Sequence, residues 1–394
     1  MISFSDALTM VLGQARSFGE DTVPLEQAFG RVLTGSVRAD RDYPPFPRAT
    51  MDGVAIRSTD LESGLRRFFV VETIMAGDSS VRPLGPGECY KIMTGAAVPA
   101  SADTVIRRED LKEEEGMILP GDHPWRQYQN IARQGEDLIA GSLVIDSPCI
   151  CETSVIGLLA TLGRTSVSVA RTPHVGLLTT GNEVVAPGAD VGPVQIRNTN
   201  RWLLEAAMKK FGAGITDWVH APDDPAILRA AVERLLEQDM VIVSGGVSAG
   251  DADHVPAVLE AAGVRRLFHK IAIRPGKPVW AGVAPRGQMV FALPGNPYSG
   301  FVTSLVLIRP YLQACFGLSP TEPLGLTLGE ARKKRSPLDE FFPALLQGTP
   351  ARLMPIPINT SGDIRLGMQA NMLALHPADS GDLKAGETVL CYPI

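Results

Sequence analysis

The 394-residue sequence lacks the features that define several common classes of protein. Its five cysteines are an odd number with neither CxxC spacing nor partnering histidines. We therefore expect no disulfide framework and no zinc site, which fits a reducing compartment. No run approaches the 18 apolar residues of a membrane span. The first residues lack a basic stretch followed by a long apolar core, so no signal peptide is predicted and the expected location is the cytoplasm.

The sequence also has little clustered basic charge. The net charge is −6, and the one dense basic run is Arg332-Lys-Lys-Arg335. No aromatic residues are interleaved with that run, so a solvated linker is a better interpretation of it than a nucleic-acid patch. Neither nucleic acid nor a membrane is predicted as a partner.

The composition is that of a folded protein with many turns, because 45% of the residues are hydrophobic and there are 39 glycines and 31 prolines. The length predicts two to four domains. An amphipathic helix is predicted over 3–17, with Ser3 or Ser5 as its N-cap, and a second short helix over 24–30.

The pattern changes at residues 41–52, where three prolines exclude regular structure and mark a boundary. Short β-like runs separated by Gly/Pro turns then predict a small β-rich domain up to about residue 140; the runs are 68–74, 104–107 and 116–119. Residues 140–170 hold a strand and a helix that would pack with the N-terminal helices. The tail after 319 is turn-rich and β-like, with a last strand at 389–391. The expected division is a linker domain (1–45 and 140–172), a β-rich domain (46–139), an α/β domain (173–318) and a C-terminal β-barrel-like domain (319–394).

Residues 174–315 alternate between strands and helices, which predicts a mostly parallel, doubly wound α/β sheet with helices on both faces. The predicted strands are 174–178, 215–219, 240–243, 268–273, 279–281 and 289–292, and the helices are 199–211, 225–236, 254–262 and 298–315. Ligands of such sheets bind beyond the carboxyl ends of the strands.

Carboxylates and glycines gather in three of the loops at those strand ends. Glu183 follows the first strand, and Asp223 and Asp224 precede a helix that one of them would cap. The loop Ser244-Gly-Gly-Val-Ser-Ala-Gly-Asp-Ala-Asp253 frees its backbone through glycines and leads to a helix N-terminus. Either Asp251 or Asp253 would cap that helix; Asp253 is the expected metal ligand, and Asp251 the expected cap or supporting group.

Two further segments offer polar and cationic groups. Arg274 and Lys277 stand on a proline-braced turn, which suits an oxyanion. The loop Leu293-Pro-Gly-Asn-Pro-Tyr-Ser299 joins a strand to a helix and presents Asn296 and Ser299 on a stiff turn.

Electrostatics decides what ligand such a mixture can accept. A carboxylate about 4 Å from a phosphate oxygen costs roughly 4 kcal/mol at an effective dielectric near 20. The N–H groups of the glycine loop and the helix dipole stabilise a bound phosphate by only about 1 kcal/mol. Mg²⁺ between carboxylates and a phosphate or pyrophosphate resolves the conflict. The residues therefore predict a metal-assisted reaction on a phosphorylated ligand, with a separate cationic place for a second anion.

The chain resembles the molybdopterin molybdenumtransferases (MoeA-type enzymes, related to the gephyrin E domain). The resemblance is carried, in order along the chain, by Met51-Asp-Gly53, Lys91-Ile-Met-Thr-Gly-Ala96, Asn130-Ile-Ala-Arg-Gln-Gly-Glu-Asp137, Thr180-Gly-Asn-Glu183, Asp223-Asp-Pro225, the glycine loop, Pro275-Gly-Lys-Pro278, Leu293-Pro-Gly-Asn-Pro297 and Gln369-Ala-Asn371. It implies a four-domain subunit, a homodimer with the active site between subunits, and insertion of molybdenum from molybdate into adenylylated molybdopterin with Mg²⁺-dependent release of AMP. Contact with the adenylyltransferase of the same pathway is a further expectation.

The resemblance also implies roles for individual residues. The catalytic set would be Asp52, Thr94, Glu183, Asp224 and Asp253, with Asp52 and Thr94 contributed by the partner subunit and Glu183 and Asp253 binding the metal. The substrates would be bound by Gly245, Gly246, Ser248, Gly250, Arg274, Lys277, Pro294, Asn296, Pro297 and Ser299, in which Arg274 and Lys277 match the molybdate-holding pair.

Three positions depart from the family pattern: Val54 replaces an aromatic residue, Arg274 replaces a lysine, and Leu338–Pro343 offers no match for an anion-binding arginine. Two alternatives therefore stay open beside molybdenum insertion. One is the adenylyltransferase reaction that precedes it, and the other is a molybdopterin-binding protein without turnover.

Overall fold

The computed structural model describes residues 1–80, 82–248, 253–363, 365 and 367–394. The chain forms two compact units. The first holds residues 1–34, 148–151 and 168–394, and the second holds 35–147 and 152–167. Within the described ranges, no helix combines the length and the apolar character that a membrane crossing requires.

A mixed sheet forms the centre of the first unit. Its strand order is Gly214–Ala221, His174–Thr180, Met240–Ser244, Met289–Leu293, Trp280–Val283, Arg265–His269. The first four strands are mutually parallel, and the last two add in antiparallel fashion. The predicted mostly parallel α/β sheet is therefore confirmed, with an antiparallel edge.

Helices cover both faces of this sheet because alternate strand residues point to opposite sides. Met240 and Ile242 join the core that includes residues of helices Phe4–Leu12 and Thr199–Lys210. Val241 and Val243 join the opposite core, formed with helices Pro225–Leu235 and Val255–Ala261. The last helical segment, predicted as one helix over 298–315, runs as Pro297–Thr303, a π-helical turn Ser304–Ile308, and Arg309–Cys315.

Three local predictions need correction. The first helix ends at Leu12, and Ser3 is its N-cap, because the Ser3 hydroxyl accepts from the Asp6 N–H at 3.0 Å. The second predicted helix is only a 3₁₀ turn, Leu25–Gln27. The strand expected over 268–273 is interrupted at Lys270, whose φ of 70° does not fit an extended strand; the chain instead forms Arg265–His269 and Ile273–Arg274.

Two other sheets lie in the first unit, apart from Ser166 and Val167 at the start of one strand. The order in the N-terminal sheet is Glu20–Pro24, Ser166–Ala170, Val32–Leu33, Cys149–Ile150. The order in the C-terminal sheet is Ile273–Arg274, Asp339–Gln347, Met372–His376, Thr388–Pro393, Leu324–Thr327, with Arg352–Pro355 paired to Asp339–Gln347. A single bridge between Leu328 and Leu353 brings its two sides together. The β-rich tail is as expected, and the barrel-like closure and four-domain division stay predictions.

The second unit is β-rich, as predicted. Its main sheet has the order Phe69–Ile74, Glu88–Ile92, Gly53–Ile56, Thr104–Arg107. The smaller pairs are Leu111–Glu114 with Met117–Pro120, Arg48–Ala49 with Ile131–Ala132, and Val37–Arg38 with Leu143–Ile145. The short helices are Ser58–Glu62, Thr153–Thr161 and the 3₁₀ turn Arg108–Asp110. The helix after residue 150 thus belongs to this unit, whereas we expected it to pack with the N-terminal helices.

Candidate active site

Strand ends of the central sheet form the wall of a cavity of about 820 Å³, hereafter the glycine cavity. The adjacent parallel strands His174–Thr180, Met240–Ser244 and Met289–Leu293 end at the same edge, so the loops that follow them meet there. Of the predicted site residues, this cavity is lined by Glu183, Gly245, Gly246, Ser248, Asp253, Pro294, Asn296 and Pro297. Gly250 and Asp251 lie outside the described residues.

Gly245 and Gly246 bring the backbone close to the neighbouring strand. The φ angle of Gly245 is 105°, which only glycine adopts without strain. The φ angle of Gly246 is 64°, which few other residues tolerate. A Cβ atom on Gly245 would stand 2.7 Å from the Thr180 hydroxyl oxygen. The turn therefore depends on glycine for both its conformation and its packing.

The two consecutive aspartates before helix Pro225–Leu235 have different surroundings. Asp224 is the N-cap: its Oδ1 accepts from the N–H groups of Ala226 at 2.9 Å and Ile227 at 3.0 Å. Asp223 lines the glycine cavity, and its N–H donates to Asn182 Oδ1 at 3.2 Å. The sequence left open which of the two is the cap. The structure shows that Asp224 is the cap. The resemblance to the family also implied a catalytic role for Asp224, and that role stays a prediction.

A polar wall that the sequence reading missed lies between the glycine turn and the helix Thr199–Lys210. Asn200 Nδ2 donates to Ser244 Oγ at 2.8 Å and to the Gly295 carbonyl at 2.7 Å, so it ties two strand-end loops together. Asn198 caps the helix and donates to Thr179 Oγ1 at 2.9 Å. The signal was the Asn-Thr-Asn triplet at a predicted helix start, where only the cap was foreseeable.

A second cavity of about 1040 Å³, hereafter the cationic cavity, adjoins the first, and the two share Pro278, Pro294 and Asn296 as lining residues. Arg274, Lys277 and Ser299 line this cavity and not the glycine cavity. Its other basic residues come from the run Arg332–Arg335. The predicted oxyanion pair is thus beside the predicted phosphate site, as a two-anion reaction requires.

The run Arg332–Arg335 is not the solvated linker that we predicted. Arg332 forms an ion pair with the buried carboxylate of Glu340 at 2.8 Å, and Lys334 Nζ donates to the carbonyls of Leu338 and His376 at 3.0 Å. Burial by itself would raise the pKa of Glu340, but hydrogen bonds from Arg332 and Ser336 hold it below its usual value. Two of the four basic side chains therefore fasten the segment to the C-terminal sheet.

Asp52 and Thr94 lie together in the second unit. Asp52 Oδ1 accepts from the Thr94 N–H and from its hydroxyl, both at 2.7 Å. Both bonds lower the pKa of Asp52 below its ordinary value, and the bond from the Thr94 backbone N–H has the larger effect. The carboxylate is exposed and stays ionised at neutral pH. The resemblance assigned both residues to one site; the structure shows that they are hydrogen-bonded to each other, and their catalytic role stays a prediction.

Comparison with known proteins places this geometry in context. Two family profiles match the chain, one described as "MoeA N-terminal region (domain I and II)" over residues 2–163 and one as "Probable molybdopterin binding domain" over residues 176–314. A molybdopterin molybdenumtransferase of Synechococcus elongatus is 34% identical, with 99% of this chain and 98% of the relative covered. One of Staphylococcus epidermidis is 31% identical, with 98% and 94% covered.

Solved structures are similar over the same extent. A crystal structure of the molybdopterin biosynthesis moeA protein from Pyrococcus horikoshii has a TM-score of 0.86 at 27% identity, with both chains fully covered. Another crystal structure, of a molybdopterin biosynthesis moeA protein from Pyrococcus horikoshii, has a TM-score of 0.83 at 31% identity, with 100% of this chain and 99% of the other covered. The likeness therefore extends through both compact units.

Proposed function

The chain belongs to the molybdopterin molybdenumtransferase family, and we propose that it inserts molybdenum from molybdate into adenylylated molybdopterin with Mg²⁺-dependent release of AMP. The observation that carries this proposal is the pair of adjoining cavities with opposite charge. One offers glycine backbone and carboxylates, the other offers fixed cations, and both share Pro278, Pro294 and Asn296.

The glycine cavity suits the phosphorylated substrate. The turn at Gly245 and Gly246 brings the backbone to the cavity wall at a place where any Cβ atom would intrude. The Gly245 N–H is taken up by the Leu293 carbonyl at 3.1 Å, so we expect the N–H groups that follow it in the turn to face the phosphate. The donor set fits Mg²⁺, which takes one or two carboxylates and completes its shell with phosphate oxygens and water. No group of three or more metal-type side chains occurs in the described part of the chain. Glu183 and Asp253 would hold the ion together with substrate oxygens, and the bound ion would neutralise pyrophosphate charge.

The cationic cavity suits molybdate. Arg274 and Lys277 are exposed to it on one turn, and the Arg274 guanidinium is positioned by a bond from Nη1 to the Arg335 carbonyl at 3.0 Å. Fixed cations next to the pyrophosphate would bring the second anion to the bond that releases AMP. Stabilising developing negative charge with preorganised groups is the largest single contribution in such reactions.

The working form is proposed to be a cytoplasmic homodimer in which Asp52 and Thr94 of one subunit act at the glycine cavity of the other. Mixing Asp52→Asn and Asp253→Asn chains tests this, because each hybrid would contain one intact site. A random mixture should recover about a quarter of the wild-type activity. No recovery in a mixture that contains hybrids would exclude a shared site.

Activity is tested by mixing the protein with adenylylated molybdopterin, Mg²⁺ and molybdate and measuring AMP by chromatography. AMP should appear only when molybdate is present, and molybdenum should be recovered in the pterin product. AMP release at the same rate without molybdate would sink the proposal. In a parallel reaction with ATP and molybdenum-free molybdopterin, accumulation of adenylylated product would favour the adenylyltransferase alternative.

A further inference from the structure

The cationic cavity has more cations than the pair that the sequence picked out. Lys333 and Arg335, on the segment that precedes the C-terminal strand Asp339–Gln347, line it together with Arg274 and Lys277. All four side chains are exposed. In the described part of the structure, the side chains of Lys277, Lys333 and Arg335 have no hydrogen bond or ion pair, so their charges are available to a ligand.

Partly buried and exposed basic residues alternate along the segment Arg332–Arg335. Arg332 and Lys334 are partly buried and bonded to Glu340 and to backbone carbonyls, whereas Lys333 and Arg335 between and after them are exposed. The alternation is one of burial and bonding, with exposed and partly buried residues following one another along 332–335. Arg332 and Lys334 anchor the segment although they also line the cavity, and Lys333 and Arg335 keep their charged groups exposed to it.

The backbone at Arg335 is held from both sides. Its N–H donates to Glu340 Oε1 at 3.0 Å, and its carbonyl accepts from Arg274 Nη1 at 3.0 Å. Arg335 is therefore fixed relative to Arg274, although the two residues are 61 positions apart in the chain. Preorganisation of this kind lowers the entropy that a ligand must overcome on binding.

The charge on the cavity wall is uneven. Six basic side chains line it against two carboxylates, Glu330 and Glu340, and Glu340 is already paired with Arg332. Cations gathered at this density repel one another unless an anion lies between them. A doubly charged oxyanion would relieve that repulsion more than a singly charged one.

We propose that Lys333 and Arg335 complete the oxyanion site begun by Arg274 and Lys277, so that the C-terminal segment supplies half of the cations that bind the substrate oxyanion. The inference rests on the proposed function for the identity of that anion. The shared chemistry is a tetrahedral dianion, which molybdate or the phosphate of AMP would supply.

The variants Lys333→Ala, Arg335→Ala and the double variant test the proposal, with Arg352→Ala as the matched control. Arg352 is exposed on a strand of the same sheet but does not line the cavity. Calorimetric titration with molybdate, and separately with AMP, measures binding, and circular dichroism checks folding. We expect the double variant to weaken molybdate binding roughly tenfold or more, with Arg335→Lys recovering part of the loss and AMP binding changed less than twofold.

The outcomes separate this inference from the proposed function. If AMP release works in the wild type but the double variant binds molybdate as tightly as Arg352→Ala does, the inference fails while the function stands. A loss of AMP binding rather than molybdate binding also overturns it. If the wild type shows no molybdate-dependent AMP release yet the double variant loses molybdate affinity, the function fails and the oxyanion site stands.

Discussion

The glycine cavity and the cationic cavity share three lining residues but offer different groups to the anions that we propose they bind. The first combines the backbone of the Gly245–Gly246 turn with carboxylates, so it would need a cation from solution to bind phosphate. The second would bind its anion mainly through side-chain cations. This difference would make each cavity a poor site for the other's ligand, because molybdate would meet carboxylates in one and the metal would meet cations in the other. Changes in one cavity should therefore leave binding in the other largely intact.

The largest expected effect comes from Asp253. Asp253→Asn should lower the rate of AMP release about 10² to 10³-fold, because the metal-bridged pyrophosphate loses a carboxylate, with molybdate affinity changed less than about twofold. Arg274→Ala should instead weaken molybdate binding, so that a higher molybdate concentration is needed for the half-maximal rate, with a smaller effect on the maximal rate. Steady-state AMP release against molybdate concentration measures both.

Glu322→Gln is the control, since Glu322 is an exposed carboxylate of the same unit that lines neither cavity. An Asp253→Asn protein that loses molybdate affinity in step with its rate would show that the two cavities do not bind independently.

The same comparison explains what the sequence could predict. The glycine cavity follows from strand order and the loops at strand ends, so Glu183, Gly245 and Asp253 were foreseeable. The position of Asp223 was not, because either aspartate could cap the helix. The cationic cavity was predicted only in part, since Arg335 meets Arg274 through packing of the C-terminal segment 61 residues along the chain. Local patterns do not encode such a contact, and Arg332–Arg335 accordingly looked like a solvated linker.

Gly245 should give the next largest effect. Gly245→Ala forces a side chain into a φ of 105° and within 2.7 Å of the Thr180 hydroxyl oxygen. We expect a loss of about 2 kcal/mol in the free energy of unfolding, together with weaker AMP binding and unchanged molybdate binding. Gly188→Ala is the control, because a Cβ atom there meets nothing within 4 Å. Urea unfolding and calorimetry measure the two quantities; equal stability of both variants would contradict the packing argument.

The adjacent aspartates allow stability and function to be separated. Asp224→Ala should lower the free energy of unfolding by about 1 kcal/mol through loss of the helix cap. Asp223→Ala should change stability by less than about 0.5 kcal/mol while slowing AMP release, because its carboxylate lines the glycine cavity. Thermal unfolding and the AMP assay on both variants decide the matter, and the assignment of the cap is wrong if Asp223→Ala is the less stable protein.

The smallest expected effect concerns the sheet that carries the cationic segment. Burial, together with the nearby charges of Arg332 and Lys334, holds the pKa of His376 below its usual 6.5. Arg332 Nη1 contacts His376 Nδ1 at 2.5 Å, and His376 Nε2 contacts the Gly381 carbonyl, so the neutral ring donates at Nε2. Because the unfolded chain binds a proton at His376 more readily than the folded chain does, the free energy of unfolding falls as the pH drops below 6.5. The melting temperature should drop more steeply between pH 7 and 5.5 in the wild type than in His376→Gln. Parallel slopes of melting temperature against pH for the two proteins would show that His376 does not titrate on unfolding.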